Sequence, residues 1–371
     1  MEHDAQVVIG QVVIGQVVIG TARFDDDLEV LTDRLGFRVD VIFPADDPAN
    51  AVVSGHGLRL RLETAADPAP VTLRLATAEP GESLILPGGT RIEYAPVTSA
   101  YHLPESRPSV VVTRRTDESG VGRAGMRYRD LIPDRWGGRF IASHITIPDG
   151  GPVPDYVHFH KIRFQMIFVK SGWVSLVYED QGEPFTMHAG DCVLQPPEIR
   201  HRVLGSSPGL EVIEIGCPAE HETIADWSLP LPTGVIRPDR DFGGQRFVRH
   251  IAAGAPYAPW RIAGWEYRDT GIGAATDGLA GARVARPTTR PTARSTGRPA
   301  PHRVVHDTEF SQLVVLAGTV TSEVEGGPSE RLGDADSLAI PGGTRYRLVD
   351  PSDDCELLDV TLPADFEVRG G

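Results

Sequence analysis

Short apolar segments alternate with turn-forming residues over most of this chain. The run Met166-Ile167-Phe168-Val169 is continuously apolar, as expected of a strand whose two faces are both covered. Glycine (40 residues) and proline (31 residues) are frequent among the 371 positions, and both favour tight turns between short strands. The pattern therefore predicts a mainly β protein.

The first 98 residues follow a different plan from the rest. Residues 6–20 repeat the pentamer Gln-Val-Val-Ile-Gly three times, and we interpret residues 1–20 as an extension in which one copy serves as a strand. A helix is predicted from Asp25–Asp27 to Gly36, because the apolar residues between them gather on one side. Residues 21–98 are thus predicted to form a small α+β module, with strands at Arg38–Phe43, Ala51–Ser54, Leu58–Leu62 and Val71–Leu75.

Two all-β units of similar plan are predicted to follow, at residues 137–232 and 245–365. Residues 99–136, which include Pro104, Pro108 and a run of arginine and aspartate, are interpreted as a connector that wraps the first unit. A flexible insert is expected within the second unit at 270–303, where residues 283–303 hold six arginines and no acid. This composition suggests contact with phosphate or RNA, but we interpret the insert as a solvated surface loop.

Charge and composition narrow the classes of partner. The chain has 36 Lys and Arg against 51 Asp and Glu, a formal net charge of −15, which disfavours nucleic acid as a partner. The sequence contains no run of 18 apolar residues, so no membrane span is predicted. The three cysteines have no CxxC spacing and Met1-Glu2-His3-Asp4 lacks the basic start of a secretory signal, so we expect a cytoplasmic location.

Most candidate functional residues lie in residues 150–203. His158 and His160 are separated by one residue, so on a strand both imidazoles face the same side. Gln165 follows five residues after His160, and His201 follows the pair Pro196-Pro197.

These residues, with Gly172 and Gly190, resemble the paired motifs of the cupin superfamily in the form HxHx4Q…G and G…PP…H. The resemblance implies two cupin (double-stranded β-helix, or jelly-roll) barrels. It also implies that four side chains converge in the mouth of the first barrel to hold one divalent transition metal: His158, His160, Gln165 and His201. Imidazole and amide ligands suit Zn, Fe, Mn or Ni.

Gln165 stands where glutamate is commoner in that family. A neutral ligand set leaves the full charge on the metal and strengthens its Lewis acidity. We therefore expect an enzyme that isomerises, cyclises or cleaves a small polar molecule bearing a carbonyl or carboxylate. Three-histidine iron cupins also act as dioxygenases, and a small-molecule sensor without turnover is a third interpretation.

Three further residues are candidates for catalysis. Arg163 lies between two of the ligands and is a candidate clamp for a substrate carboxylate, or else a surface ion-pair residue. Tyr156 and Tyr178 are candidate general acids, or else tyrosines of the core or rim.

The second unit repeats the spacing of the first but not its ligands. Gly318 lies 12 residues after His306, as Gly172 lies 12 after His160. On this register Val304, Ser311 and Tyr346 replace His158, Gln165 and His201. We therefore expect a metal-free barrel that closes the first barrel or forms the face of a homodimer.

The N-terminal module has a resemblance of its own. Residues 26–63 and the sequence Pro-Gly-Gly-Thr-Arg-Ile-Glu-Tyr at 87–94 resemble a module of the vicinal-oxygen-chelate (glyoxalase-like) superfamily. That resemblance matches Glu93 to a last-strand metal ligand, but the sequence offers no histidine partner. We expect this module to be a metal-free scaffold.

Overall fold

The computed structural model divides the chain into two compact units, residues 1–100 and 101–371. The residues described are 15–79, 81–97, 101–122, 125–288 and 302–370. Strands dominate both units, which confirms the predicted mainly β class. No helix of the described residues is long and apolar enough to span a membrane.

The first unit is an α+β module. Its elements are β1 Val17–Thr21, α1 Phe24–Glu29, a π-helical turn Val30–Arg34, β2 Arg38–Phe43, β3 Asn50–Gly55, β4 Leu58–Thr64, β5 Thr72–Thr77, β6 Leu84–Ile85 and β7 Arg91–Pro96.

The main sheet of this unit has the order β1-β4-β3-β2, with β1 parallel to β4. Strand β1 lies in the third pentamer copy, and the first copy lies outside the described residues. One core forms between the helix and the sheet, where Ile19, Leu31, Leu60 and Leu62 are fully buried.

The second unit opens with β8 Val111–Thr113, a strand that belongs to the second of its two barrels. The elements of the first barrel are β9 Gly120–Val121, β10 Arg127–Asp130, the short turn α2 Arg135–Gly138, β11 Ile141–Ile147, β12 Gly151–Pro152, β13 His158–His160, β14 Phe164–Ser171, β15 Trp173–Tyr178, β16 Phe185–His188, β17 Cys192–Leu194, β18 His201–Ser206, β19 Leu210–Cys217, β20 Thr223–Ala225 and β21 Val248–His250.

A second barrel follows with the same plan. Its elements are β22 Ala258–Pro259, β23 Trp265–Asp269, α3 Ile272–Ala275, β24 Gly281–Pro287, β25 Val304–His306, β26 Phe310–Ala317, β27 Val320–Val324, β28 Ser329–Leu332, β29 Ser337–Ala339, β30 Tyr346–Val349, β31 Glu356–Leu362 and β32 Val368–Gly370.

Each barrel is built from two antiparallel sheets. The first barrel has the orders β21-β17-β14-β19-β11-β10-β9 and β16-β15-β18-β13-β20, with β12 beside β18. The second has β22-β23-β24-β31-β26-β29-β8 and β28-β27-β30-β25-β32. The central pairs β14–β19 and β26–β31 correspond, so the two halves are structural repeats.

Parts of the chain that were predicted to be a connector and an insert belong to these sheets. In the predicted connector, β8 pairs with β29 of the second barrel, whereas β10 pairs with β11 of the first. In the predicted insert, β24 pairs with β31, because this strand can bury Ala282 and Val284 in the core. The insert is therefore shorter than predicted, and residues 289–301 lie outside the described part.

One apolar core joins the two barrels. It combines side chains of β14 and β19 with those of β24, β26 and β31. Phe140 of the first barrel stacks on Phe310 of the second, with ring centroids 4.3 Å apart, and both rings are fully buried. The two seven-stranded sheets are thus held together by burial of apolar area.

We expect Phe310→Ala to lower the free energy of unfolding by about 3–5 kcal/mol, because it opens a cavity in this shared core. Both barrels should still unfold together in one transition of the second unit. Denaturant unfolding followed by far-UV circular dichroism measures both quantities. The exposed Trp227, 82% accessible, supplies the control: Trp227→Ala should change stability by less than about 0.5 kcal/mol. Equal losses in the two variants would contradict a shared core.

Candidate metal centre

Three histidines meet inside the first barrel. Strand β13 carries His158 and His160, and β18 carries His201 directly opposite His158 in the antiparallel register. The ligand atoms of these three residues all lie within 4.8 Å of one another. His158 and His201 are buried, at 2% and 4% exposure, and His160 is half-buried.

Each imidazole is held from outside the cluster through its Nδ1 atom. Nδ1 of His158 lies 2.8 Å from the carbonyl oxygen of Tyr156, and Nδ1 of His201 lies 3.0 Å from that of Ile199. A carbonyl oxygen only accepts, so in both rings Nδ1 carries the proton and Nε2 carries the lone pair.

His160 is held by a side chain. Its Nδ1 lies 2.9 Å from Oγ1 of Thr223 on the neighbouring strand β20. Outer hydrogen bonds of this kind orient metal-binding imidazoles and fix their tautomers. The three side chains therefore fit a single metal ion bound through Nε2 atoms.

Gln165 lies on β14 within the same buried region, at 2% exposure. Its Nε2 donates to Oε1 of Glu214 at 2.5 Å, and its Oε1 accepts from Nε2 of Gln195 at 3.2 Å. Gln195 Nε2 in turn lies 3.4 Å from Nε2 of His201. Glu214 thus fixes which end of the Gln165 amide carries the acceptor oxygen, and Gln195 connects that oxygen to the histidine cluster.

Tyr178 contacts both Gln195 and His201. Its ring stacks on His201 with centroids 5.4 Å apart, and its hydroxyl donates to Oε1 of Gln195 at 2.6 Å. Burial raises the pKa of Tyr178 well above its ordinary value. This environment favours a positioning role over the predicted general-acid role.

Tyr156 lies at the rim of the cluster. Its ring contacts His158 at a centroid distance of 5.8 Å and the exposed Trp227 at 5.2 Å. Tyr156 thus connects the buried His158 to the exposed Trp227.

Arg163 makes a contact that the clamp prediction did not include. Its Nη1 donates to both oxygens of Glu309 at 3.0 and 3.1 Å, and Arg139 donates to the same carboxylate at 2.6 Å. Glu309 belongs to the second barrel, so the Arg163 guanidinium links the two barrels. The structure therefore corrects the predicted substrate clamp: Arg163 forms an ion pair with Glu309, which agrees with the alternative interpretation.

Four residues near the cluster were not singled out for chemistry from the sequence: Thr223, Gln195, Glu214 and His221. Glu214 carried a signal, because it is one of two charged residues in the mainly apolar strand β19. His221 is half-buried, with its ring 5.3 Å from that of His160. Gln195 and Thr223 carried no signal, because their roles depend on pairing between distant strands.

The second barrel repeats this register without the histidine cluster. Val304 pairs with Tyr346 as His158 pairs with His201, and Ser311 takes the place of Gln165. Asp359 occupies the position of Glu214. Among the described residues, the three histidines of the first barrel form the one group of at least three His, Cys, Asp or Glu that could hold a metal.

The fold matches those of solved structures, although no family model and no curated protein matches the chain in sequence. Salicylate 1,2-dioxygenase from Pseudaminobacter salicylatoxidans is 13% identical, with a TM-score of 0.51 over 72% of this chain and 90% of that chain. The protein YlbA from E. coli is 10% identical, with a TM-score of 0.48 over 72% and 97%. Oxalate decarboxylase from Lactobacillus farciminis is 12% identical, with a TM-score of 0.46 over 74% and 89%. The match to the dioxygenase supports a two-barrel, cupin-like fold.

We expect Thr223→Val to weaken metal binding by about 10–100-fold, because it removes the hydroxyl that orients His160. Competition with a chromophoric chelator measures the affinity. The matched control is Thr223→Ser, which keeps the hydroxyl and should restore the wild-type value. Equal affinities for the valine and serine variants would contradict an orienting role for the hydroxyl.

His306 predicts a pH dependence of stability. Burial and the positive charge of Arg261 lower the pKa of His306 from 6.5 to about 4. The unfolded chain therefore binds this proton first, so stability is lost as the pH falls from 6.5 towards 4. His306 should account for about 2 kcal/mol of the loss between pH 7.5 and pH 5.

Denaturant unfolding of wild type and His306→Gln at the two pH values measures this contribution. The variant should lose less stability on acidification than wild type. His188→Gln, at an exposed histidine of β16, should behave like wild type. The same pH dependence in all three proteins would contradict the assignment.

Proposed function

We propose that the first barrel is the metal centre of an enzyme that isomerises, cyclises or cleaves a small molecule bearing a carbonyl or carboxylate. The observation that carries this proposal is the trio of imidazoles held through Nδ1 by Tyr156, Ile199 and Thr223. Three neutral imidazoles close together suit a divalent cation such as Zn, Fe, Mn or Ni. Bound there, such a cation would act as a Lewis acid that polarises a substrate oxygen.

Residues at the open side of the cluster would bind and orient the substrate. The aromatic edge of Tyr156 and Trp227 offers apolar area to the body of a small molecule. Gln195 and Gln165 are fixed by hydrogen bonds on the buried side, so their positions are set before a substrate enters. This preorganisation reduces the reorganisation that a reaction at the cluster would require.

His221 is the proposed proton carrier at this mouth. Its Nδ1 lies 3.1 Å from the carbonyl oxygen of Pro218, so Nδ1 bears the proton and Nε2 bears the lone pair. Through Nε2 an imidazole can accept a proton from one substrate carbon or oxygen and return it to another. Isomerisation, cyclisation and elimination all need such a transfer.

A second candidate function is oxygen-dependent cleavage of an aromatic or diketone-like compound by Fe(II). The fold similarity to salicylate 1,2-dioxygenase, over 90% of that chain, favours it. The same neutral imidazole trio would serve this chemistry.

For the N-terminal unit we propose a glyoxalase-like module with a supporting role. Its strand order β1-β4-β3-β2 around one helix supports this proposal. We propose no metal site at Glu93. Its carboxylate accepts hydrogen bonds from Arg74 and Arg91, each at 2.9 Å, so both of its oxygens already have cationic partners.

We expect protein purified without oxygen to carry one transition metal per chain, and His160→Ala to lose it. Elemental mass spectrometry measures the content. His188→Ala is the matched control, since His188 is an exposed histidine of the same barrel, and it should keep the metal. Absence of metal from the wild-type protein would contradict the proposal.

The identity of the metal then separates the two functions. Zn, Ni or Mn, with turnover of keto acids or cyclisable sugars that His221→Gln slows, supports Lewis-acid chemistry. Iron with oxygen uptake supports the dioxygenase. Tight binding of a small molecule by the metal-loaded protein, without turnover, would leave a sensing role.

A further inference from the structure

A buried aspartate lies beside one imidazole of the candidate metal centre. Oδ1 of Asp155 is 3.5 Å from Nδ1 of His158, and the side chains of both residues are 3% exposed. Asp155 precedes His158 by three residues, in the segment between β12 and β13. A carboxylate therefore approaches this ring from its Nδ1 side, while Nε2 belongs to the histidine cluster.

A gap in the strand pairing explains one of the two contacts that this carboxylate makes. Strand β13 pairs with β18 at His158 and His201, and β12 pairs with β18 again at residues 205–206. Val203 of β18 lies between these two points, and its N–H donates to Oδ2 of Asp155 at 2.9 Å. This oxygen takes the place of a strand carbonyl, because a buried N–H needs an acceptor. The other oxygen, Oδ1, is the one that lies near His158.

The two buried imidazoles share one local arrangement, to which His158 adds the carboxylate. Each Nδ1 bonds to the carbonyl oxygen two residues earlier, that of Tyr156 at 2.8 Å or that of Ile199 at 3.0 Å. An imidazole that is bound to a cation through Nε2 is a stronger donor at Nδ1, because the ring shares the positive charge. A carboxylate that accepts from such a ring orients it and raises its basicity as a ligand.

Burial makes the negative charge of this side chain effective at the cluster. Solvent screens a charge little when the side chain that carries it is only 3% exposed. Burying a carboxylate is costly, and a cation close by offsets that cost. The three histidines are neutral ligands, so the carboxylate of Asp155 contributes an attraction for a divalent cation that the ligands themselves do not.

We propose that Asp155 is a positioning residue of the metal centre and acts through His158. Its Oδ2 fixes the segment before β13 to β18. Its Oδ1 accepts from Nδ1 of His158 when the cluster holds a metal, and this contact raises the affinity of the three histidines for a divalent cation. The inference rests on the proposed function, because it requires that the histidines bind a metal.

Asp155→Asn separates the two contacts of the carboxylate. The amide oxygen still accepts from the N–H of Val203, whereas the NH₂ group that replaces the second oxygen does not accept from His158. Zn²⁺ is the probe, added to chelator-treated full-length protein in competition with a chromophoric chelator. We expect the affinity for Zn²⁺ to fall about 10–100-fold in Asp155→Asn. Thermal unfolding of the zinc-free proteins verifies that the variant is folded.

Glu183→Gln is the matched control, because it removes a carboxylate from an exposed position between β15 and β16 of the same barrel. It should keep the wild-type affinity for Zn²⁺. Wild-type affinity in folded Asp155→Asn would overturn the inference and leave the proposed function intact. Failure of the wild-type protein to bind Zn²⁺ would instead contradict both.

A measurement on the wild-type protein decides the case in which Asp155→Asn does not fold. When Zn²⁺ binds, the proton resonance of Nδ1–H should move further downfield in His158 than in His201, because a carboxylate is a stronger acceptor than a carbonyl oxygen. Nuclear magnetic resonance of the ¹⁵N-labelled protein measures both shifts. Equal shifts in the two rings would overturn the role of Asp155.

Discussion

The antiparallel register between β13 and β18 is the constraint on which the candidate metal centre depends. It sets His158 directly opposite His201, and the two-residue period of a strand then places His160 on the same face as His158. A shift by one residue would turn the imidazoles to the other side of the sheet. The strand pairing thus fixes the position of these two rings, whereas their tautomers are fixed locally, because each Nδ1 bonds to the carbonyl oxygen two residues earlier in its own segment, that of Tyr156 or Ile199.

The same scaffold carries different chemistry in its two copies. In the first barrel the carboxylate of Glu214 holds an amide beside three imidazoles, whereas in the second the corresponding Asp359 holds the guanidinium of Arg261. A buried carboxylate needs a positive or hydrogen-bonding partner, because its charge is costly away from water. An arginine supplied by the chain satisfies Asp359 permanently. The first barrel instead brings three imidazoles together, a group that could hold a metal ion.

The sequence predicted the local features of this arrangement but not those that depend on distant pairing. Spacing alone predicted that Val304, Ser311 and Tyr346 occupy the positions equivalent to His158, Gln165 and His201. The strand pairs of the second barrel agree with that register. The spacing could not reveal Arg261, which enters from a segment 45 residues before His306. Low-complexity composition likewise suggested a loop around Arg283, yet the pairing of β24 with β31 decides that region. Composition describes what a segment does alone, and burial against a neighbouring strand overrides it.

Glu309 joins the interiors of the two barrels. It lies between β25, which carries His306, and β26, which carries Ser311, and its carboxylate accepts from Arg163 just before β14 begins. The carbonyl oxygen of Arg163 also accepts from Gln245 at 2.6 Å, so the start of β14 is held from two sides. Because β14 carries Gln165, the position of that amide depends on an ion pair with the second barrel as well as on Glu214. The second barrel therefore helps to hold the residues of the candidate metal centre in place.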